Sequence, residues 1–240
     1  MIDLSIVIPA YNEQDRIVTC LENTLEYLDG QPYESEVVVV SDGSSDNTVE
    51  VAAGFADKYR PNVRALEYHP NRGKGYAVSY GMVRASGARV LFMDADYAVP
   101  ISEIHKAFGL MDAGYDVALA SRAIKGAKVD ARQSLPRQLS ARLYTLVQNL
   151  YLGMDWPDTQ CGFKMFTRQA ARDLFSRQKL SSVIFDAEIL WLAKKRGYTA
   201  AQFPVRWRHV GDSRIQYDSL GKSLFVFREL FRIRGLHPDV

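Results

Sequence analysis

Cysteine is scarce in this chain of 240 residues: only Cys20 and Cys161 occur, and they stand 141 residues apart. That spacing matches neither a zinc-ligand pattern nor a disulfide framework, which argues against metal-stabilised and disulfide-stabilised small folds. The composition is otherwise that of an ordinary soluble α/β protein, with 47% hydrophobic and 24% charged residues. We therefore expect two buried thiols, a reducing cytoplasmic setting and one large domain.

Long apolar runs are also missing. Nowhere do eighteen apolar residues follow one another, and no basic segment with a cleavage site precedes the first apolar stretch at 4–9. A membrane-spanning helix and a secretory leader each need such a segment. We expect a chain that is neither exported nor membrane-spanning.

Two nucleotide-binding fingerprints are absent as well. The P-loop pattern Gly-x-x-x-x-Gly-Lys-Ser/Thr does not occur, and no Gly-x-Gly-x-x-Gly follows the first predicted strand. Both absences argue against an NTPase and against a dehydrogenase.

The net charge is only +2, but the charge is unevenly distributed. Residues 1–121 carry 9 basic and 18 acidic side chains, whereas residues 122–240 carry 21 basic and 10 acidic ones. The basic half is suited to anions or to an anionic surface. Nucleic acid is not expected as a partner, because the basic residues lack interleaved aromatics and a zinc-finger pattern.

Short β-branched runs alternate with segments of helical periodicity along the chain. We predict strands at 4–8, 37–40, 63–68, 90–94 and 117–121, and helices at 13–28, 46–59, 75–85 and 101–111. Beyond these we predict helices at 138–151, 168–176 and 185–196, and strands at 163–166 and 200–205. The order predicts one α/β domain with a mainly parallel twisted sheet and helices on both faces. Ligands of such sheets bind beyond the carboxyl ends of the strands.

One predicted strand, 90–94, runs directly into two carboxylates, Asp94 and Asp96. Residues two apart on an extended chain point the same way, so both carboxylates are able to face one hard cation such as Mg2+ or Mn2+. An isolated Asp-x-Asp is more often a turn cap, and this motif alone leaves that alternative open.

Polar loops follow two other strands and lead into helices. Tyr11 offers a ring for stacking, and Asp42 offers a carboxylate to the N–H group of a base. Helix capping by Ser45 or Asp46 explains part of the second loop equally well. A third loop, residues 71–75 (Asn-Arg-Gly-Lys-Gly), places two cations and two glycines before a helix N-terminus, which favours phosphate binding.

Five motifs stand in one order: Ile-Val-Ile-Pro-Ala-Tyr-Asn-Glu, Ser-Asp-Gly-Ser-Ser-Asp-Asn-Thr, Asn-Arg-Gly-Lys-Gly, Met-Asp-Ala-Asp and, at 158–164, Asp-Thr-Gln-Cys-Gly-Phe-Lys. In this order they resemble the family-2 glycosyltransferases, from about residue 4 to about residue 213. The last motif, with segments 185–188 and 204–210, is similar to the polyprenyl- and dolichyl-phosphate sugar transferases, especially their β-glucosyltransferase branch. The resemblance implies a Rossmann-like GT-A fold in a single domain, 1–240. Its nucleotide- and metal-binding half would be 1–121 and its acceptor-binding half 122–240.

The resemblance also implies roles for individual residues. Those that would bind the nucleotide sugar are Pro9, Tyr11, Glu13, Asp42, Lys74, Asp94 and Asp96. Asp94 would approach the ribose and the sugar, and Asp96 would ligate Mg2+ or Mn2+. The residues implied for catalysis are Asp94, Asp96, Arg122, Arg137 and Asp158.

Arg122 and Arg137 match arginines that the family uses near an acceptor phosphate. Lys125, His209 and Arg214 are weaker candidates, for which a solvated surface position is the simpler interpretation.

Asp158 stands in the neighbourhood where relatives with a hydroxyl acceptor carry a catalytic base, but no Glu precedes it here. This difference fits a phosphate acceptor, which is already anionic. We favour a role for Asp158 in orienting Arg122, Arg137 or Lys164 over a role as base.

The implied acceptor lipid cannot leave the bilayer, so the protein must reach a membrane surface. Segments 138–152 and 220–234 have apolar residues at helical spacing, and the second also contains interspersed Lys and Arg. Both are typical of interfacial helices, although core helices show the same periodicity. Many bacterial relatives carry transmembrane helices after the catalytic domain, and this chain ends at Val240 without them. We expect peripheral attachment to the cytoplasmic face of a membrane, directly or through a membrane-anchored partner protein.

These implications lead to one main hypothesis. The chain would be an inverting hexosyltransferase that moves glucose from UDP-glucose onto a polyprenyl or dolichyl phosphate and gives a β-linked product. GDP-mannose is the alternative donor, because no residue pattern separates uracil from guanine. A saccharide hydroxyl is the alternative acceptor, and a nucleotide-sugar-binding protein without catalysis is the alternative class.

Overall fold

Seven strands form the central sheet of the computed structural model, which describes residues 2–56, 58–59, 62–130, 135–208 and 220–240. The strands in chain order are β1 (Leu4–Ala10), β2 (Ser35–Ser41), β3 (Asn62–Glu67), β4 (Arg89–Met93), β5 (Val117–Ser121), β6 (Lys128–Val129), β7 (Phe163–Thr167), β8 (Ala200–Pro204) and β9 (Arg206–Trp207). The helices are α1 (Gln14–Asp29), α2 (Thr48–Ala53), α3 (Lys74–Met82), α4 (Ile104–Asp112), α5 (Leu135–Leu152), α6 (Arg168–Arg177), α7 (Phe185–Lys195) and α8 (Leu220–Leu236). A 3-10 turn at Ile101–Glu103 precedes α4.

The strand order is β3-β2-β1-β4-β7-β5-β8, and β7 runs antiparallel to both of its neighbours while the other pairs are parallel. The expectation of a mainly parallel sheet is confirmed. Because β2 lies on one side of β1 and β4 on the other, the connections reverse direction at β1. A crevice forms at such a switch point beyond the carboxyl ends of the strands.

Helices cover both faces of the sheet and produce two apolar clusters. On one face Ile6 and Ile8 of β1 belong to the same cluster as Ile17 and Leu21 of α1. On the other face Val7 shares a cluster with α3. Every residue of β1 and β2 is buried, as a strand covered on both faces requires, and this explains their nearly continuous apolar sequences.

The structure differs from the predicted elements in three places. The helix predicted at 46–59 begins at Thr48 and ends at Ala53, where Gly54 follows, and glycine is a poor helix former. β6 and β9 form a separate two-stranded parallel sheet that was not predicted. Periodicity also gave no indication that β7 is antiparallel.

Within the described ranges, no helix combines the length and the apolar character needed to cross a bilayer.

Candidate active site

The crevice at the switch point has a volume of about 320 Å³, which falls at the lower end of the usual range for ligand sites. All seven residues implied for the nucleotide sugar line it: Pro9, Tyr11, Glu13, Asp42, Lys74, Asp94 and Asp96. The lining also includes Asn71 and Gly73 of the loop at 71–75, and residues that sequence reasoning did not single out, among them Arg16 and Val183. Arg16 forms an ion pair with Glu13 at 2.9 Å, which fixes the entrance to α1.

The loop after β1 is tied to the loop after β2. Asn12 has a left-handed backbone with φ of 53°, which is uncommon for a residue other than glycine and marks a position held by its surroundings. Its side-chain oxygen accepts a hydrogen bond from the Ser45 amide at 2.8 Å, and its own amide donates to Ser44 Oγ at 3.1 Å. Tyr11, beside it, is 42% exposed and leaves its ring available to a ligand.

The second loop enters α2 differently from the predicted capping. The residue that precedes the helix is Asn47, and its side chain makes no capping hydrogen bond. Asp46 instead accepts from the Thr48 amide at 3.1 Å and from the Gln14 amide at 3.2 Å, so it joins the two helix entrances. The proposed N-cap role of Ser45 is therefore wrong.

Asp42, which follows β2, forms hydrogen bonds with the loop at 71–75, the loop that the sequence favours for phosphate binding. Its buried carboxylate accepts hydrogen bonds from the amides of Arg72 and Gly73 at 2.7 and 2.9 Å, and from the Tyr68 hydroxyl at 2.8 Å. Gly73 has φ of 98°, and a Cβ there would lie 2.5 Å from the carbonyl oxygen of Ser181. Contact between Asp42 and a base stays a prediction, whereas its hold on this loop is a direct observation.

Lys74 begins α3 and reaches across the crevice to Asp94, with 2.6 Å between Nζ and Oδ1. Burial alone would lower the pKa of Lys74, but the carboxylates of Asp94 and Asp186 outweigh it and the pKa is raised. Lys74 is therefore a firmly charged cation at the N-terminus of a helix, a suitable position for binding a diphosphate.

Asp96 lies two residues beyond Asp94, with its Oδ1 accepting from the Ala98 amide at 3.0 Å. This contact is the turn role that the sequence left open, and the intervening turn places Tyr97 in a left-handed conformation with φ of 55°. Burial raises the pKa of Asp96, and the charge of Asp94 raises it further. Two carboxylates that repel each other in one crevice form a setting that a divalent cation would relieve.

The donor set fits a magnesium or manganese ion that is shared with a substrate. The described residues contain no cluster of three or more His, Cys, Asp or Glu side chains able to hold a metal alone. Mg2+ is usually bound by one or two carboxylates together with substrate phosphates and water. Asp96, with Asp94 beside it, supplies such a partial set.

Arg122, directly after β5, forms a bidentate ion pair with Asp158: Nε lies 2.8 Å from Oδ2 and Nη2 lies 2.9 Å from Oδ1. The Arg122 amide also donates to Oδ2 at 3.0 Å. Burial alone would raise the pKa of Asp158, but Arg122 outweighs it and holds the pKa below its ordinary value. Trp207 of β9 lies beneath the guanidinium, 5.5 Å from the ring centroid.

The structure describes only some of the other residues considered for binding the acceptor phosphate. Lys125 is exposed on the loop between β5 and β6. Arg137 lies in the first turn of α5, but its side chain is outside the described part of the structure, and His209 and Arg214 are outside the described residues altogether. Of the three cations considered for Asp158, Lys164 is paired with Asp186 at 2.6 Å instead.

Helices α5 and α8 pack against each other through aromatic rings. Tyr151 and Phe231 have ring centroids 4.9 Å apart, and the Tyr151 hydroxyl donates to the Phe231 carbonyl at 2.8 Å. A row of leucines on α5 nevertheless stays exposed, namely Leu139, Leu143, Leu146 and Leu150. One side of α5 therefore packs against α8, as in a core helix, while contact of its exposed side with a membrane stays a prediction.

A family model described as glycosyl transferase family 2 matches residues 5–175. Among curated proteins, a dolichyl-phosphate beta-glucosyltransferase of Trichomonas vaginalis is 37% identical over 90% of this chain and 67% of its own length. The dolichyl-phosphate beta-glucosyltransferase of Drosophila melanogaster is 36% identical over 94% of this chain and 74% of its own length. The human protein of the same name is 32% identical with the same coverage.

Solved structures of glucosyl-3-phosphoglycerate synthase from Mycobacterium tuberculosis have the same fold. The complex with Mn2+, UDP-glucose and glycerol 3-phosphate superposes with a TM-score of 0.71 at 20% identity, covering 97% of this chain and 80% of that one. The complex with Mg2+ and UDP gives 0.70 at 20% identity, covering 97% and 79%. At this identity the likeness establishes the fold, a GT-A-type arrangement.

Proposed function

The chain belongs to glycosyl transferase family 2 and is a glycosyltransferase, and from its site we propose that it transfers glucose from UDP-glucose to dolichyl phosphate or a related polyprenyl phosphate. We further propose that the reaction inverts the anomeric carbon, so that an α-linked donor gives a β-linked lipid phosphosugar. The dolichyl-phosphate beta-glucosyltransferases at 32 to 37% identity support glucose and the lipid phosphate.

The observation that carries the choice of acceptor is the ion pair between Asp158 and Arg122. A sugar hydroxyl needs a carboxylate free to take its proton, whereas a phosphate, with a second pKa of about 6, is largely ionised at neutral pH. Asp158 is buried, bound through both oxygens and has a lowered pKa, so it is a poor proton acceptor. The same pair holds a guanidinium, a good phosphate ligand, at a strand end.

The donor would lie in the crevice at the switch point, with its base near Tyr11 and its diphosphate near Lys74. Lys74 offers a charged ammonium group 2.6 Å from Asp94, and that ammonium would face the diphosphate when Asp94 turns to the bound donor. A bound Mg2+ or Mn2+ would act as a Lewis acid that offsets charge on the leaving diphosphate, and Asp96 with Asp94 would hold it.

In the reaction, a phosphate oxygen of the acceptor attacks the anomeric carbon from the face opposite the diphosphate. The new carbon–oxygen bond to the lipid phosphate forms as the bond to the diphosphate breaks, and the electron pair leaves with UDP. No proton must be removed from the acceptor. The residues therefore contribute mainly by positioning and by charge stabilisation.

The acceptor lipid requires a bilayer, and we propose that the exposed side of α5 and α8 rests on it. α5 contains no acidic residue, and the single one in α8, Glu229, is buried and paired with Arg232. Among the side chains of these helices that the structure describes, the exposed cations are Arg142, Arg228, Arg232 and Arg234. An apolar row beside a purely basic surface suits anionic lipids and disfavours pairing of two copies through the same surface.

A thermal-shift titration tests the choice of donor. UDP-glucose, GDP-mannose and UDP-N-acetylglucosamine would each be added with Mn2+, and the proposal predicts that UDP-glucose raises the melting temperature most. Stabilisation by GDP-mannose alone would contradict the glucose assignment. Transfer of label to a soluble saccharide and not to a polyprenyl phosphate would support the hydroxyl-acceptor alternative.

A further inference from the structure

The segment Phe185–Glu188 contains two buried acids that the reaction described above does not use. Asp186 pairs with Lys164, and 2.6 Å separates its Oδ1 from Nζ. Both side chains are almost completely buried, at 5% and 1% exposure. Lys164 also donates to the Cys161 carbonyl at 2.6 Å. Through Lys164, the first turn of α7 is therefore bonded to the start of β7 and to Cys161 just before it.

The residue just before β7, Gly162, is in contact with Asp94. The Asp94 amide donates to the Gly162 carbonyl at 3.0 Å, and its carboxylate lies against the Gly162 Cα. Asp186 acts on the other side of the site as well: burial alone would lower the pKa of Lys74, and the charges of Asp94 and Asp186 raise it. Four side chains of alternating charge thus lie together: Asp94, Lys74, Asp186 and Lys164.

The backbone around Lys74 is held by the same helix entrance. The Gly75 amide donates to the Ser181 carbonyl at 2.8 Å, and a Cβ on Gly75 would lie 2.9 Å from the Phe185 Cβ. Glu188 accepts from the amides of Lys179 and Leu180 at 2.8 and 2.9 Å, which stabilises the loop that packs on Gly75. The N-terminal turn of α7 is therefore a rigid support for the loop at 71–75.

We propose that Asp186 is a positioning residue for the donor: it keeps the Lys74 ammonium in the crevice when Asp94 turns from Lys74 to the incoming nucleotide sugar. The proposal rests on the donor site described under Proposed function. Lys74 is only partly exposed, so a carboxylate partner stabilises its charge, and it loses one such partner when Asp94 is engaged. Asp186 is fixed by Lys164 and remains as the second carboxylate.

The first variant is Asp186→Asn, which keeps an oxygen for Lys164 and removes the charge. We expect the dissociation constant for the nucleoside diphosphate, measured by calorimetry with Mn2+, to rise about tenfold, as loss of one charge contact at short range predicts. The KM for the donor should rise similarly, with kcat changed less than about threefold. The matched control is Asp173→Asn, which breaks ion pairs with Arg177 and Arg196 away from the crevice.

A second variant separates positioning from stability. Replacement of a buried ion pair by apolar residues is often neutral for stability, so Lys164→Met with Asp186→Leu should melt close to the wild type. We expect its affinity for the nucleoside diphosphate to stay about tenfold weaker. Recovery of wild-type affinity together with stability would show a purely structural pair and overturn the proposal. Wild-type affinity in Asp186→Asn would overturn it as well.

Failure of the proposed function would give a different result. In that case the wild type would transfer no glucose to polyprenyl phosphate, while the comparison of UDP or GDP binding among the variants would still report on Asp186.

Discussion

Gly162 lies so close to Asp94 that a Cβ at position 162 would be 2.0 Å from Asp94 Oδ2 and 2.2 Å from its Cγ. β7 begins at the next residue and pairs antiparallel with β4, so the glycine reaches the end of the strand that delivers Asp94. The Asp94 carboxylate can occupy its position only because residue 162 has no side chain.

Gly162→Ala should therefore damage the donor site. The added methyl group must displace the Asp94 carboxylate, and we expect kcat/KM for the donor to fall by about 100-fold, as a displacement of about 1 Å predicts. The loss of unfolding free energy should be about 1–3 kcal/mol, as for other overpacked sites. Gly109→Ala in α4 is the control, because a Cβ there meets nothing within 4 Å. Wild-type kinetics in Gly162→Ala would mean that the position of Asp94 is not critical.

Asp96→Asn should lose metal-dependent binding. An amide is a weaker ligand than a carboxylate, and we expect Mn2+ to no longer strengthen UDP binding in calorimetry, with kcat reduced by about 10³ or more. Asp112→Asn, which removes an exposed carboxylate paired with Arg89, is the matched control. Wild-type kcat and an undiminished effect of Mn2+ on UDP binding in Asp96→Asn would contradict the metal role and would leave this residue only its turn contact with the Ala98 amide.

Arg122→Ala should separate acceptor use from donor binding. Removal of the guanidinium takes away a charged phosphate ligand, so we expect turnover with polyprenyl phosphate to fall by about 100-fold or more. The dissociation constant for UDP should change little. Arg177→Ala, which breaks a surface pair with Asp173, is the control for loss of an arginine. Equal loss of UDP affinity and turnover in Arg122→Ala would contradict an acceptor role.

Leu143→Glu with Leu146→Glu should detach the protein from lipid. The two leucines are 55 and 56% exposed, and charges on that row oppose insertion into an interface. We expect loss of sedimentation with vesicles of phosphatidylcholine and phosphatidylserine, with donor affinity unchanged. Tyr115→Glu replaces an apolar residue that is 37% exposed elsewhere and should leave sedimentation intact. If both variants sediment like the wild type, α5 is not the contact surface.

Glu36→Gln should change how stability depends on pH. Burial alone would raise the pKa of Glu36, but hydrogen bonds from Ser5, Ser86 and Arg64 outweigh it and the pKa is lowered. A carboxyl group with a lowered folded-state pKa stabilises the fold above its ordinary pKa, and that contribution disappears as the pH falls through the folded-state pKa. We expect Glu36→Gln to cost about 1–3 kcal/mol at pH 7, measured by urea unfolding.

The difference between Glu36→Gln and the wild type should then shrink as the pH is lowered below 4.5, the ordinary value for glutamate. Glu22→Gln, at an exposed position in α1, should show no such trend. A difference that stays constant down to acidic pH would contradict the role assigned to the Glu36 charge.

The meeting of Asp42, Lys74 and Asp94 in one crevice was predictable from sequence because parallel strands deliver their carboxyl ends to one edge. Asp42 and Asp94 follow strands, and Lys74 follows a glycine loop, so their convergence needed only the alternation of strands and helices. The direction of β7 was not predictable, since an apolar run has the same appearance in either orientation.

The supporting contacts could not be inferred in the same way. Lys164 and Asp186 are 22 residues apart, and nothing in the local pattern of either one indicates the other as its partner. Gly162 is one glycine among sixteen, and its close approach to Asp94 depends on how β7 pairs with β4. The sequence suggests a base as the partner of Asp42, whereas in the fold its carboxylate accepts from the amides of Arg72 and Gly73 in the loop at 71–75.

Glucosyl transfer to a polyprenyl phosphate is measured by incubating the purified chain with labelled UDP-glucose, Mn2+ and dolichyl phosphate in vesicles. We predict label in an organic-phase lipid, release of UDP in equal amount, and a β-anomeric proton coupling in the product by NMR. Label that stays in the aqueous phase, or an α-linked product, would contradict it.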